Sequence, residues 1–321
     1  MLRIFINALR TGVVTTRYPA EPTVAPDRFR GAPVLRPGSR LPPPAVCPAG
    51  ALSERFDGSG RHVALDVARC VFCGHCAEDR WEGAVAMGRD FELAARGRDD
   101  LRIEVLADDA GDGFKTGSRV DANGAASAPQ RGCRVGDPAP PNAEAVARDR
   151  LFVGRALGGA VRGQDPPEGL ETARASSEIR RVLGRSLHLR HLDAGSCNAC
   201  DWELAALLNP VYDVRRLGID FVASPRHADG VVVTGSVTRN LETAVRRTIE
   251  AIPDPRIVIA VGACAASGGI VGEGYASAGG VDRVLPVDVY IPGCPPRPEA
   301  IIFGILVALG RLDARRLPRQ A

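Results

Sequence analysis

The chain is nearly without lysine: among its 41 Lys and Arg residues, Lys115 is the single lysine. We read that skew as coding bias. Charge of one sign is also lacking, since the formal net charge is only +3 and acids and bases are mixed along the chain. No basic stripe stands out, so nucleic acid is not expected as a partner. Long hydrophobic runs are missing too. IIFGILVAL at 301–309 is well short of the ~20 apolar residues that cross a bilayer. No secretory signal precedes the cysteines, and a chain of 321 residues can bury a core across two domains without disulfide staples.

The chain does have nine cysteines in telling places. Cys197 and Cys200 form GSCNAC, Cys264 lies in VGACAASGG, and Cys294 opens GCPPRPE. Four thiolates supply all the protein ligands of a cubic [4Fe–4S] cluster, and structural zinc uses the same four atoms, so the count alone does not choose the metal. Two paired cysteines with two more far downstream suit a cluster held between the loops of an α/β domain. Gly195, Gly262 and Gly293 let the backbone turn close to such a core. A second group, Cys70, Cys73 and Cys76, stands in RCVFCGHC, where one tight loop presents three sulfurs. A zinc knuckle completed by His75 or His62 is the alternative there. Cys133 has no cysteine near it and reads as a free thiol, and on pattern alone Cys47 looks equally incidental.

Four regions follow from composition: 1–46, 47–107, 108–184 and 185–321. In the first, Leu2, Phe5, Ile6, Leu9 and Val13 recur at helical spacing opposite Arg3, Asn7 and Arg10. Such a helix either docks on a membrane or membrane subunit or packs on its own domain, and the two readings weigh about equally. Residues 15–46 are rich in Pro, Arg and Gly and read as an extended arm whose order depends on what it touches. RIEVLA at 102–107 is a strand candidate. Residues 108–147 read as a flexible linker, and weak helical pattern returns at 144–158 and 171–185. Beyond it, IDFVA (219–223), GVVVTG (230–235) and RIVIAVG (256–262) are strand candidates, with a helix at 240–251 between the last two. VLPVDVYI (284–291) contains a proline and reads as an edge strand, and a final helix begins at Pro298 and Glu299. Continuously apolar strands alternating with helices predict an α/β domain with a mostly parallel sheet covered on both faces. Its ligand belongs beyond the carboxyl ends of the strands, where Cys264 stands.

From Arg185 to about Arg311 the chain resembles the small, cluster-bearing subunit shared by respiratory complex I and the energy-converting [NiFe] hydrogenases, including formate hydrogenlyase. The matching segments are RSLHLRHLDAGSCNAC, NPVYDVRRLGIDFVASPRHADGVVVTG, PDPRIVIAVGACAASGG and PVDVYIPGCPPRPEAI. The resemblance implies a flavodoxin-like C-terminal domain in which Cys197, Cys200, Cys264 and Cys294 hold one [4Fe–4S] cluster facing a large catalytic subunit. Complex I members typically place the first two ligands side by side. Asn198 and Ala199 separate them here, as in the hydrogenase branch. Glu203, in CDWE, reads as a proton-relay carboxylate or, more commonly for such a position, a surface helix acid. Arg226, Arg239 and Arg297 read by default as solvated.

The stretch from about 47 to 90 resembles the bacterial two-cluster ferredoxin module, a small α+β unit with C-x2-C-x2-C-x3-C-P runs whose fourth cysteine serves the other cluster. By that resemblance Cys47, followed by Pro48, joins Cys70, Cys73 and Cys76 around a second cluster, which decides against zinc. The ligands of the other ferredoxin cluster are missing: Pro37, Arg40 and Pro43 occupy three of the places and Arg80, followed by Trp81, the fourth. The module reads as a ferredoxin that lost one cluster and kept one, with Arg80 a candidate to fill the vacated space.

The resemblance thus implies two [4Fe–4S] clusters and an iron–sulfur electron-transfer subunit of a membrane-associated, [NiFe]-hydrogenase-like oxidoreductase complex. It is not catalytic alone. The partners implied are a large hydrogenase-like or complex-I-like catalytic subunit, membrane subunits and a further iron–sulfur or ferredoxin electron partner. The location implied is peripheral, on the cytoplasmic side of the membrane. A complex-I-like quinone oxidoreductase subunit is the first rival, and an assembly protein merely braced by metals is the second.

Overall fold

The computed structural model describes residues 3, 7, 10–36, 41–57, 60–78, 83–107 and 186–313. The expectations for Leu2, Phe5, Ile6 and Leu9, for Pro37, Arg40, Arg80, Trp81 and Cys133, and for helices at 144–158 and 171–185 lie outside them. Arg3, Asn7, Arg10 and Thr11 are helical, and Val13 is exposed.

In the N-terminal module β1 (Pro33–Leu35) pairs antiparallel with β4 (Val85–Met87), bracketing an antiparallel sheet of β2 (Leu52–Asp57), β3 (Gly60–Asp66) and β5 (Arg102–Ala107) in the order β2-β3-β5. RIEVLA is β5, as its apolar pattern predicts. The described helical pieces of this module are short 3₁₀ turns, at Pro44–Val46, His75–Ala77 and Arg98–Leu101.

The C-terminal module is a five-stranded, all-parallel sheet of β6 (Leu187–Asp193), β7 (Ile219–Phe221), β8 (Gly230–Thr234), β9 (Ile257–Val261) and β10 (Val289–Ile291). The strands run β7-β6-β8-β9-β10 across the sheet. Counted within the module, that is the flavodoxin-like order 2-1-3-4-5, whose connections reverse direction between β6 and β8. Its helices are α1 (Ala199–Ala206), α2 (Arg239–Glu250), α3 (Ala263–Ser267) and α4 (Pro298–Ala308). The continuous apolar character of β8 and β9 follows from burial on both faces. Val232, Ile257, Ile259 and Val261 pack with α1 and α4. Val231, Val233, Val258 and Ala260 face Val245 and Ile249 of α2, in one core with Val63, Leu65, Leu101 and Ile103 of the N-terminal module. Every residue of α4 is buried, so IIFGILVAL is a core helix covered on all sides.

The modules meet along a bonded seam. The outer edge of β10 is closed by Ala95, which exchanges both backbone bonds with Tyr290, at 3.0 and 2.8 Å. Arg98 bridges Asp66 at 3.2 Å and Asp282 at 3.3 Å. Arg96 donates to the Val307 carbonyl at 2.7 Å, and Ser267 Oγ donates to the Ala68 carbonyl at 3.2 Å. The proline-rich arm is ordered by the same surfaces. Tyr18 is buried and its hydroxyl donates to Glu92 at 2.8 Å, while the Thr16 N–H donates to the Val211 carbonyl at 2.8 Å.

Helix α4 sits tight on β10 at Gly304, where an added β-carbon would lie 2.3 Å from Ile291 Cδ1 and 3.3 Å from Ala94 Cβ. Gly304→Val overpacks that contact and is expected to destabilise the protein by about 1–3 kcal/mol, measured by denaturant unfolding.

Candidate functional site

Each C-terminal cysteine follows a strand or opens the helix after one. Past β6, Asp193 Oδ1 accepts the N–H groups of Gly195 at 2.9 Å and Ser196 at 2.7 Å, folding the chain into the loop of Cys197. Asn198 is left-handed at φ 67°, after which Cys200 stands in the first turn of α1. Cys264 stands in the first turn of α3, directly past β9, and Cys294 follows β10. The loops after β9 and β10 are tied together by Gly262 N–H to Ile291 O at 2.8 Å and Ala263 N–H to Gly293 O at 2.7 Å. Two glycines are required here. Gly262 has φ 91°, and a β-carbon on it would lie 2.5 Å from Cys200 Sγ; on Gly293, at φ 149°, it would lie 2.4 Å from Pro296 Cα.

These four thiols act on one another. Burial raises the pKa of Cys200, and the neighbouring Cys264, Cys294 and Cys197 raise it further. Cys264 is raised by burial and then by Cys294 and Cys197, and Cys294 by burial and then by Cys197. Cys197 and Cys294 are nonetheless exposed, so the group opens at the surface beyond the strand ends.

The N-terminal cysteines also gather. Cys47 follows the 3₁₀ turn at Pro44–Val46, and its Sγ accepts the Ala51 N–H at 3.2 Å. Cys70 Sγ accepts the Phe72 N–H at 3.3 Å. Left-handed Phe72 (φ 54°) and Gly74 (φ 83°) curl the loop so that Cys73 and Cys76 return beside it. Arg30 of the arm clamps this loop by donating to the Cys73 carbonyl at 2.5 Å. Burial pushes the Cys70 thiol up to about 12 against the opposing Phe72 bond, with Cys76, Cys47 and Cys73 adding to the rise. Cys76 is pushed up to about 11 by burial, then by Cys73 and Cys47. His62 faces Asp57 at 3.1 Å and Glu104 at 3.8 Å, and His75 is exposed.

A single zinc ion needs its sulfurs about 2.3 Å from one centre. Among the described residues, no group of three or more His, Cys, Asp or Glu side chains converges closely enough to hold one metal ion. Burial raises the pKa of Cys70, Cys76, Cys200, Cys264 and Cys294, and the positive core of a cluster would favour their thiolate forms.

Sequence reasoning missed a polar network beneath the Cys197–Cys200 loop. Asp201 accepts from buried Thr234 at 2.7 Å and from Ser196, and lies 2.7 Å from His191 Nε2. Burial opposes its ionisation, but the bonds from Ser196 and Thr234 and the nearby His191 outweigh burial and hold it below the usual carboxylate range. The one sequence signal was an acid directly after Cys200. Arg297 is not simply solvated: it pairs with buried Glu299 at 2.9 Å and lies over the rings of Phe29 and Phe91, 5.1 and 5.0 Å from their centroids. Glu203 is half-buried near this pair, and burial and then Glu299 raise its pKa while Arg297 lowers it. Arg226 is exposed, and Arg239 is an exposed partner of Glu242 at 3.1 Å.

A parallel α/β sheet of this order carries its four cysteines past its strand ends, where ligands of doubly wound α/β domains sit. Residues 197–308 match the family described as NADH ubiquinone oxidoreductase, 20 Kd subunit. The chain is 47% identical over 136 residues to the probable membrane-bound hydrogenase subunit mbhJ of Pyrococcus furiosus, covering 42% of this chain and 81% of that protein. It is 44% identical over 148 residues to formate hydrogenlyase subunit 7 of Escherichia coli, covering 46% of this chain and 57% of that one. An NADH-quinone oxidoreductase subunit of Geotalea daltonii is 44% identical over 117 residues, 36% of this chain and 68% of that protein. The chain belongs to this family of small iron–sulfur subunits. No helix among the described residues is long and apolar enough to cross a membrane.

Thr234→Val keeps the shape of that buried side chain but removes its bond to the Asp201 carboxylate. It is expected to lower stability by about 1.5–3 kcal/mol, measured as a shift in denaturant midpoint with unchanged slope.

Proposed function

We propose that the chain is an iron–sulfur electron relay in a membrane-associated, energy-converting hydrogenase-like complex, joining a one-cluster ferredoxin-like module (47–107) to the small-subunit domain (185–321). What supports this reading is that Cys197, Cys200, Cys264 and Cys294 stand in the loops past the strand ends of one module, while Cys47 and Cys76 lie within electrostatic reach of buried Cys70 in the other. Cys197, Cys200, Cys264 and Cys294 would hold one [4Fe–4S] cluster, and Cys47, Cys70, Cys73 and Cys76 the other. When bound, such a cluster supplies a one-electron redox centre.

The chain's own groups set the conditions. The Ala51 and Phe72 amides donate to Cys47 and Cys70 sulfur, bonds that would adjust the reduction potential of a cluster held there. Burial of Cys70 and Cys76 keeps water from that site. Cys197 and Cys294 open at the surface, and apolar Trp202, Ile270, Val271 and Tyr275 are exposed on loops and helices of the same module. That supports docking by a large catalytic subunit, to which the chemistry of the substrate belongs. The two loops also approach each other: Val71 and Phe72 line one cavity with Gly293, Cys294, Pro295 and Pro296. Two residues between Cys197 and Cys200, and the likeness to hydrogenase and formate hydrogenlyase subunits, favour the hydrogenase branch over quinone reduction. A peripheral position on the cytoplasmic face is part of the same reading.

The test is metal analysis and EPR on the complex purified anaerobically with its large subunit. About eight irons per chain, matching sulfide, two reduced-state cluster signals and nickel in the partner are expected. Cys264→Ser and Cys73→Ser should each lose one signal and about four irons while sparing the other site. Two clusters without nickel would move the assignment to a complex-I-like quinone reaction, and zinc in place of iron would defeat it.

A further inference from the structure

Between the turn after Cys47 and the loop leaving the Cys264 helix lies a cation that neither site uses as a ligand. Arg69 directly precedes Cys70. A β-carbon on Gly50 would lie 3.9 Å from its Nε and Cζ, and one on Gly272 would lie 3.8 Å from its Nη2. Gly50 closes the turn on Cys47, donating its N–H to the Cys47 carbonyl at 3.0 Å. Gly272 closes the loop leaving the Cys264 helix, its N–H on the Gly268 carbonyl at 2.9 Å. In that loop a β-carbon on Gly269 would lie 3.0 Å from Cys264 Sγ. The guanidinium thus reaches from the Cys47 turn to the Cys264 loop. Its Nε is buried and has no hydrogen-bond partner among the described residues. The backbone beside it is tied across the seam by the Ser267 bond to Ala68.

We propose that Arg69 is a positioning residue for electron transfer, a permanent cation that raises the reduction potentials of both sites together. This rests on the two-cluster reading above. Four thiolates make each loaded site anionic, and an added electron makes it more so. A nearby positive charge stabilises the reduced form, and the partial burial of Arg69 reduces its screening by solvent and salt. One cation placed between two sites acts on both, which keeps their potentials matched as electrons pass. No bond is made or broken at Arg69.

The experiment is an EPR-monitored redox titration of the whole complex carrying wild-type chain, Arg69→Gln, Arg69→Met or Arg69→Lys. Met is included because its unbranched stem keeps the packing without the charge. In the neutral variants the reduced-to-oxidised ratio at fixed potential should fall about three- to tenfold at both sites; tenfold is about 59 mV for a one-electron couple. Iron content should be unchanged, and Lys should restore most of the shift. The proposal is overturned if an assembled neutral variant leaves either potential unmoved, or if Lys behaves like Gln. It is also overturned if neither neutral variant retains its iron, which would make Arg69 an assembly residue. A wild-type protein with one reducible signal would defeat the two-cluster reading itself, whereas two signals with unmoved potentials would defeat this proposal alone.

Discussion

Bringing thiols from loops distant in sequence to buried and half-buried positions past the strand ends is the constraint on which the architecture depends. Burial and neighbouring thiols both oppose ionisation of Cys70 and Cys200. Backbone geometry supplies the restraint. Left-handed Asn198, Phe72, Gly74 and Gly262 curl the loops inward, and amide bonds tie the turns after β9 and β10 to each other.

Those loops stay in place because the sheet beneath them is buried on both faces. Helices α1 and α4 cover one side, and α2 together with the N-terminal module covers the other. The second module is therefore part of the core, and its Ala95 closes the exposed edge of β10. Residues from both cysteine loops consequently line one cavity. A flexible tether between two independent domains would leave that juxtaposition to chance. Here it follows from side-chain packing.

Much of this was legible in the chain. Strands β8 and β9 announced themselves as continuous apolar runs because both of their faces are buried. The interior strand β6 did not: LHLRHLD alternates leucine with histidine and arginine, since its carboxyl end rises into the polar network beneath Cys197. Grouping Cys197, Cys200, Cys264 and Cys294 was legible from their count and flanking glycines. Adding Cys47 to the other group depended on family resemblance, because its spacing from Cys70 carries no signal of its own. Arg297 looked solvated until the fold laid it over Phe29 and Phe91 beside buried Glu299.

Local sequence by itself determined the elements and the cysteine-bearing turns, because apolar periodicity, glycine and proline act over a few residues. Tertiary structure alone decided how the modules face one another, and that Arg69 lies between a turn near residue 50 and a loop near residue 272. The physical reason is that repulsion, burial and charge depend on distance in space. Packing sets that distance for residues some two hundred positions apart, and spacing along the chain does not record it.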